Sequence, residues 1–188
     1  MKGVESVLLD SSFCIRLLKS DADFHQNAVD YFEYFLENGI EMYLSTIVVS
    51  EYAVGDNPDN LLSLNVFRLL EFDYADAKIA GNFFAELKGN DDLRQSEQRK
   101  VIINDIKLFA QIHNRSIEAY ITKDRKSLGK MIEPLERSQN LKFEFTHVDF
   151  KFSAWSFDFD DHGFDGDSNC GRREKQKKRN GQKTFFPN

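Results

Sequence analysis

The sequence predicts an α/β fold with a mostly parallel sheet, and three features of its pattern lead there. Short apolar runs alternate with longer stretches of helical periodicity over about residues 4 to 150. Polar turn residues separate the two kinds of segment. The first run, Val7-Leu8-Leu9, stops abruptly on Asp10-Ser11-Ser12. A buried strand ending on polar groups suits an open sheet, where ligands bind beyond the carboxyl ends of the strands.

The elements follow in order. Residues 13–18 read as a helix, so Asp10 is either its cap or part of a site. Ser20-Asp21-Ala22-Asp23 makes a turn suited to capping the next helix. In that helix Phe24, Ala28, Phe32, Phe35 and Leu36 recur at helical spacing, and Asn38-Gly39 ends it. Residues 40–44 make a second strand. Ser45-Thr46 caps a helix over 47–54, broken by Gly55-Asp56-Asn57-Pro58. The apolar stretch 61–72 predicts a helix. A clearer one spans 74–88, with Ala77, Ala80, Phe84 and Leu87 on one face, and Gly89-Asn90-Asp91-Asp92 ends it. Residues 93–99 read as a polar loop, 101–113 as a helix, 117–121 as a third strand and 125–130 as a short helix. Pro134 marks a break, and 141–152 form a last strand or strand pair. No internal repeat is present.

A chain of 188 residues is long enough for one well-cored domain, residues 1–152, followed by an extension, residues 153–188. Cys14 lies in an apolar helix and Cys170 in a polar tail. That separation argues against a disulfide framework and for a reducing compartment. Asp10 interrupts the apolar N-terminal run too early for a signal peptide. No apolar stretch approaches the roughly 18 residues of a membrane span. The expected location is the cytoplasm. The net charge of −6 does not advertise nucleic-acid binding. It does not exclude it, because a metal-loaded acidic site holds phosphate through its cations. His25, His113, His147 and His162 show no ligand spacing.

Two helices carry carboxylates on an apolar face. Glu51 falls on the stripe set by Ile47 and Val48, and Asp105 lies between Ile102 and Phe109 on the stripe that continues to Ile112. An inward carboxylate needs a cation, a hydrogen-bond network or a raised pKa. Asp124 follows the third strand as Asp10 follows the first. Each acid has a plainer reading: Asp124 as a helix cap, Glu51 reaching solvent, Asp105 paired with a base. If all four converge, repulsion is severe unless divalent ions sit among them. Carboxylates without cysteine or histidine suit Mg²⁺ or Mn²⁺.

Taken together these segments resemble a PIN-domain ribonuclease, most closely the VapC toxins of toxin–antitoxin pairs. The residues that carry the likeness are Leu9-Asp10-Ser11-Ser12, Ser45-Thr46-Ile47-Val48-Val49-Ser50-Glu51, Phe72-Asp73-Tyr74-Ala75-Asp76-Ala77, Asn104-Asp105-Ile106-Lys107-Leu108-Phe109-Ala110 and Ile121-Thr122-Lys123-Asp124. The ordered set is more specific than any single motif. The resemblance implies a three-layer α/β/α sandwich and metal-dependent endonucleolytic cleavage of RNA, with Mg²⁺ or Mn²⁺ as cofactor. It implies an acidic quartet of Asp10, Glu51, Asp105 and Asp124, with Asp10 and Asp105 foremost as direct ligands. Ser12 and Thr122 would fix the carboxylates by hydrogen bonds. It also implies a cognate antitoxin and a homodimer. The polar stretch 93–100 departs from the family pattern, and the tail lies outside the common core.

In the tail, Phe143/Phe145, Val148/Phe150/Phe152 and Trp155/Phe157/Phe159 alternate with period two and switch parity between sets. The plain reading is an edge strand covering the core; the sharper one is a strand exchanged across a dimer. Residues 158–167 are acidic and Gly-rich, and 172–179 are basic. Such a run is either a solvated, disordered tail or an RNA-contacting arm. Two other function classes stand against the nuclease. One is a PIN-fold module that binds RNA or protein without activity. The other is a phosphoryl-transfer domain: a haloacid-dehalogenase-like enzyme would want an Asp at position 12, where this chain has Ser12, and the paired acids of a response-regulator receiver are absent.

Overall fold

The sheet is laid down from its middle outward. The chain begins at β1 (Ser6–Leu9) and steps to β2 (Glu41–Ser45) and β3 (Phe67–Leu70). It then crosses back to β4 (Ala119–Thr122) and adds β5 (Glu144–His147). The order is β3-β2-β1-β4-β5 and every neighbouring pair is parallel. The structure is a computed structural model and describes residues 4–88, 99–123, 126–139 and 141–147. The expectations for Asp124, for the helix end at Gly89-Asn90-Asp91-Asp92, for the loop at 93–98 and for the chain beyond His147 lie outside those residues.

Continuous apolar runs form the two middle strands because both of their faces are covered. Val7, Leu8, Leu9, Ala119, Tyr120 and Ile121 are fully buried. Leu8 sits opposite Tyr43 of β2 on one side and Tyr120 of β4 on the other. Helices α1 (Ser11–Leu18), α2 (His25–Glu37), α3 (Thr46–Tyr52) and the short α4 (Pro58–Leu62) belong to the steps from β1 to β3. Helices α5 (Tyr74–Leu87), α6 (Arg99–Arg115) and α7 (Lys126–Gln139) belong to the return. Crossovers between parallel strands are right-handed, so reversing direction puts the two sets on opposite faces. The contacts agree: α1 packs on α2 and α3, and α5 packs on α6 and α7. The expected three-layer α/β/α sandwich is the observed one.

Aromatic rings fill both interlayers. Phe13 meets Phe35 at 6.4 Å between centroids, and Tyr31 meets Phe35 at 6.2 Å. On the other face Phe109 lies edge-on to Tyr120 at 6.1 Å, and Phe143 touches both. Cys14 is buried and unbridged, and burial, then the charge of Asp10, push its thiol well up. Among the described residues no helix is long and apolar enough to cross a membrane.

Three local expectations are corrected. Residues 61–72 are not one helix. Asn65 adopts φ 54°, a left-handed conformation that asparagine tolerates, and it divides α4 from β3. A short apolar run fits either period, which is why the pattern alone misled. Pro134 does not break its helix but lies inside α7. An interior proline costs about 3 kcal/mol. Burying Met131, Ile132 and Leu135 in the same helix returns roughly 1.5–3 kcal/mol each and outweighs it. The turn at Ser20-Asp21-Ala22-Asp23 does not cap α2; Phe24 holds that position at φ 64° with no side-chain capping bond.

Candidate functional site

The sheet reverses direction between β1 and β4, and the crevice at such a switch point, beyond the strands' carboxyl ends, is where open α/β sheets bind ligands. Asp10 occupies it. Its backbone N–H donates to the Ile121 carbonyl at 3.1 Å, extending the β1–β4 ladder one residue. Its side chain then turns back over α1. Oδ2 accepts from the Ser12 N–H at 3.3 Å, the Ser12 hydroxyl at 2.5 Å and the Thr122 hydroxyl at 2.7 Å. The Ser12 hydroxyl in turn accepts from the Lys123 N–H at 2.9 Å and lies 3.3 Å from Thr122 Oγ1. Asp10 is therefore both the helix cap and a fixed carboxylate, so the two sequence readings are compatible. Three donors saturate Oδ2, whereas among the described residues Oδ1 has the Ser11 hydroxyl at 3.5 Å.

Glu51 and Asp105 stand on helices of the two opposite layers, α3 and α6. Both are half-buried. Glu51 Oε1 accepts from Asn104 Nδ2 at 2.8 Å, a clasp between α3 and α6. Asp105 is the next residue on α6, and one turn further on Phe109 packs against Tyr120. Tyr120 and Thr122 share one face of β4 by strand alternation. The Tyr120 hydroxyl lies among the buried polar atoms of β4. It is fully buried and pushed well above the ordinary tyrosine range, first by burial and then by the negative charges of Asp10, Asp105 and Glu51.

Neither Asp10 nor Glu51 has an ion-pair partner among the described residues. Arg16, one turn along α1, gives its Nη1 to the Ser12 carbonyl at 2.6 Å instead. Among the described residues no three His, Cys, Asp or Glu side chains lie close enough to hold one ion directly. Mg²⁺ takes one or two carboxylates and keeps several waters, so the oxygen-only donors here still suit it. Asp124 falls outside the described residues. The histidines stand apart: His25 Nδ1 bonds the Arg16 carbonyl at 2.7 Å, and His113 packs edge-on to Phe83.

The sequence reading passed over Tyr120, the Asn104–Glu51 clasp and a second acidic centre at the start of α5. There Asp73 and Asp76 form a reciprocal capping box. Asp76 is fully buried and accepts from Asn114 Nδ2 at 2.7 Å and from both terminal nitrogens of Arg115 at 3.0 and 3.2 Å. A tyrosine between Ala119 and Ile121 in a central strand was the available signal for the first omission, because a buried phenol seeks a polar partner. An open polar groove of about 500 Å³ lies elsewhere, lined by Glu5, Ser6, Glu41, Tyr43, Arg115 and Glu118. It contains none of the expected site residues.

No family profile and no curated protein matches the sequence. Solved structures of toxin–antitoxin proteins align with it. A toxin–antitoxin complex from Klebsiella pneumoniae is 18% identical, over 65% of this chain and 89% of that one, with a TM-score of 0.48. VapBC2 from Rickettsia felis, bound to a promoter DNA fragment, is 16% identical over 74% and 98%, with a TM-score of 0.49. VapC20 from Mycobacterium tuberculosis, a sarcin–ricin loop cleaving toxin, is 14% identical over 61% and 86%, with a TM-score of 0.42. Those names describe those proteins; the chemistry of this chain rests on its own side chains.

Proposed function

We propose that this chain is a Mg²⁺- or Mn²⁺-dependent endoribonuclease of the PIN type, and the toxin of a toxin–antitoxin pair acting in the cytoplasm. What supports the nuclease reading is Asp10, placed beyond the end of β1 at the sheet's switch point and oriented by Ser12 and Thr122, together with the clasp from Glu51 to Asn104, the neighbour of Asp105. Asp10 and Glu51 have no ion-pair partner among the described residues, and carboxylates so placed suit a cation from outside. Asp10, Glu51 and Asp105 would hold it, with Asp124 as the fourth acid, directly or through water. When bound, such a cation supplies Lewis-acid charge beside the scissile phosphate and lowers the pKa of water.

The chain's own residues do the positioning. Ser12 and Thr122 lock Asp10 so that one oxygen remains for binding. Asn104 holds Glu51 by Oε1 and leaves Oε2 to take a proton from attacking water. In hydrolysis the water oxygen bonds to phosphorus, one phosphoester bond breaks in line with it, and the products are a phosphomonoester and a hydroxyl. The antitoxin and a homodimer belong to this proposal through the family resemblance alone.

A second reading, a PIN-fold module without activity, draws on one observation: the described residues include no three-group metal cluster. One assay separates them. The full chain, stripped with chelator, is given single-stranded RNA with and without Mn²⁺ or Mg²⁺. The nuclease reading expects cleavage only with metal and none from Asp10→Asn or Asp105→Asn. Full activity in chelator, or variants as active as the parent, would overturn it; metal-supplied protein that binds RNA without cutting it supports the second reading.

A further inference from the structure

We infer that Phe24, with Lys123 beside it, is a stacking platform for one base of single-stranded RNA at the rim of the acidic crevice. The inference rests on the nuclease reading and extends it to how substrate is seated. Phe24 sits at φ 64°, ψ 20°, a left-handed conformation that a bulky side chain rarely adopts. The strain is not repaid by capping, since the side chain makes no hydrogen bond to α2. The backbone is nevertheless fixed, with the Phe24 carbonyl accepting from the Ala28 N–H at 3.1 Å. The ring is 41% exposed. Strained, exposed and fixed aromatic residues are found where function holds them.

Its neighbour ties it to the crevice. The Lys123 ammonium lies over the Phe24 ring, 5.7 Å from the centroid. The Lys123 backbone N–H donates to the Ser12 hydroxyl, which itself holds Asp10. The aromatic face is thus one lysine side chain away from the carboxylate that would seat the metal. A ring beside an ammonium matches a nucleotide, whose base has a π-face and whose phosphate is an anion. Unstacked bases of single-stranded RNA dock on such rings, and cations beside them neutralise the adjoining phosphate. The platform distinguishes base from no base, not one base from another.

Glycine suits φ 64°, so Phe24→Gly keeps the backbone while deleting the ring. The probe is a short oligouridine RNA carrying one 2-aminopurine, mixed with the full chain in chelator at low salt. Wild type is expected to quench the 2-aminopurine and to bind about 5- to 150-fold more tightly than Phe24→Gly, at matched Tm. Phe24→Trp should restore both, and Phe24→Leu should not. Lys123→Gln should weaken binding and reduce the salt slope by about one. Equal RNA affinity and unchanged quenching in Phe24→Gly overturn the inference; loss of a protein contact alone would mark Phe24 as partner-facing and overturn it too. Cleavage is read separately on Mn²⁺-loaded protein. Phe24-dependent quenching without cleavage leaves the platform standing and removes the nuclease reading, whereas cleavage indifferent to Phe24 does the reverse.

Discussion

Asp76 and Asp10 are both buried acids at the start of a helix, yet one meets an arginine and the other meets hydroxyls. Asp76 takes a two-nitrogen grip from Arg115, an amide from Asn114 and the Asp73 backbone N–H. Its charge is neutralised within the fold, and the result is structure: α6 is pinned to the start of α5. Among the described residues Asp10 takes neutral donors, the hydroxyls of Ser12 and Thr122 and the Ser12 N–H, and no ion pair. Hydrogen bonds orient a carboxylate without cancelling it. A carboxylate compensated by its own protein is finished, whereas one that is oriented and left charged is prepared for a cation from elsewhere.

The largest expected contrast is in activity. Asp10→Asn or Asp105→Asn removes one of the repelling charges, so RNA cleavage drops to background while the Tm in chelator holds or rises. Asparagine still caps α1 at position 10. Arg115→Met should do the opposite. It strands Asp76 in the interior, at a cost of about 3 kcal/mol. For a domain of this size the Tm falls roughly 6–12 °C. Cleavage below the new Tm should persist, as measured by scanning calorimetry beside an RNA assay. An Arg115→Met protein that loses activity at full stability would erase the distinction between the two centres.

The frame of this contrast was readable in the sequence, and its wiring was not. Buried strands, their alternation with helices and the inward faces of Glu51 and Asp105 follow from period and spacing. Residues 61–72 and Pro134 were misread because local pattern carries no information about what packs against it. Arg115 lies 39 residues from Asp76, and Asn104 lies 53 from Glu51; such pairs exist only once the sheet is ordered. Tyr120 looked like strand filling because its raised pKa comes from burial and from acids distant in sequence.

Smaller effects refine the account. Thr122→Val deletes one donor to Asp10 at a fully buried position. Metal affinity should weaken about 10- to 100-fold, with stability changed by about 1 kcal/mol. Titration calorimetry with Mn²⁺ measures the first and denaturant melts the second. Tyr120 gives a pH signature. Its folded pKa is raised, so its contribution to stability is complete below the unfolded value near 10 and is lost as pH rises through the folded value. Tyr120→Phe should therefore flatten the decline in stability above about pH 10 without removing it, since Tyr52, pushed up to about 12 by burial and then Asp56, declines the same way.

The most direct measurement is the Tm of the chelated full chain as Mn²⁺ is added, for the parent and for Asp105→Asn. Saturation at about 100 times the dissociation constant stabilises a metal-binding fold by about 2.7 kcal/mol, or roughly 5–10 °C here. The parent should rise by that order, and Asp105→Asn should start at or above the chelated parent and respond little. A parent indifferent to Mn²⁺, with Asp105→Asn less stable than it in chelator, would mean that these acids are already compensated inside the fold, as Asp76 is.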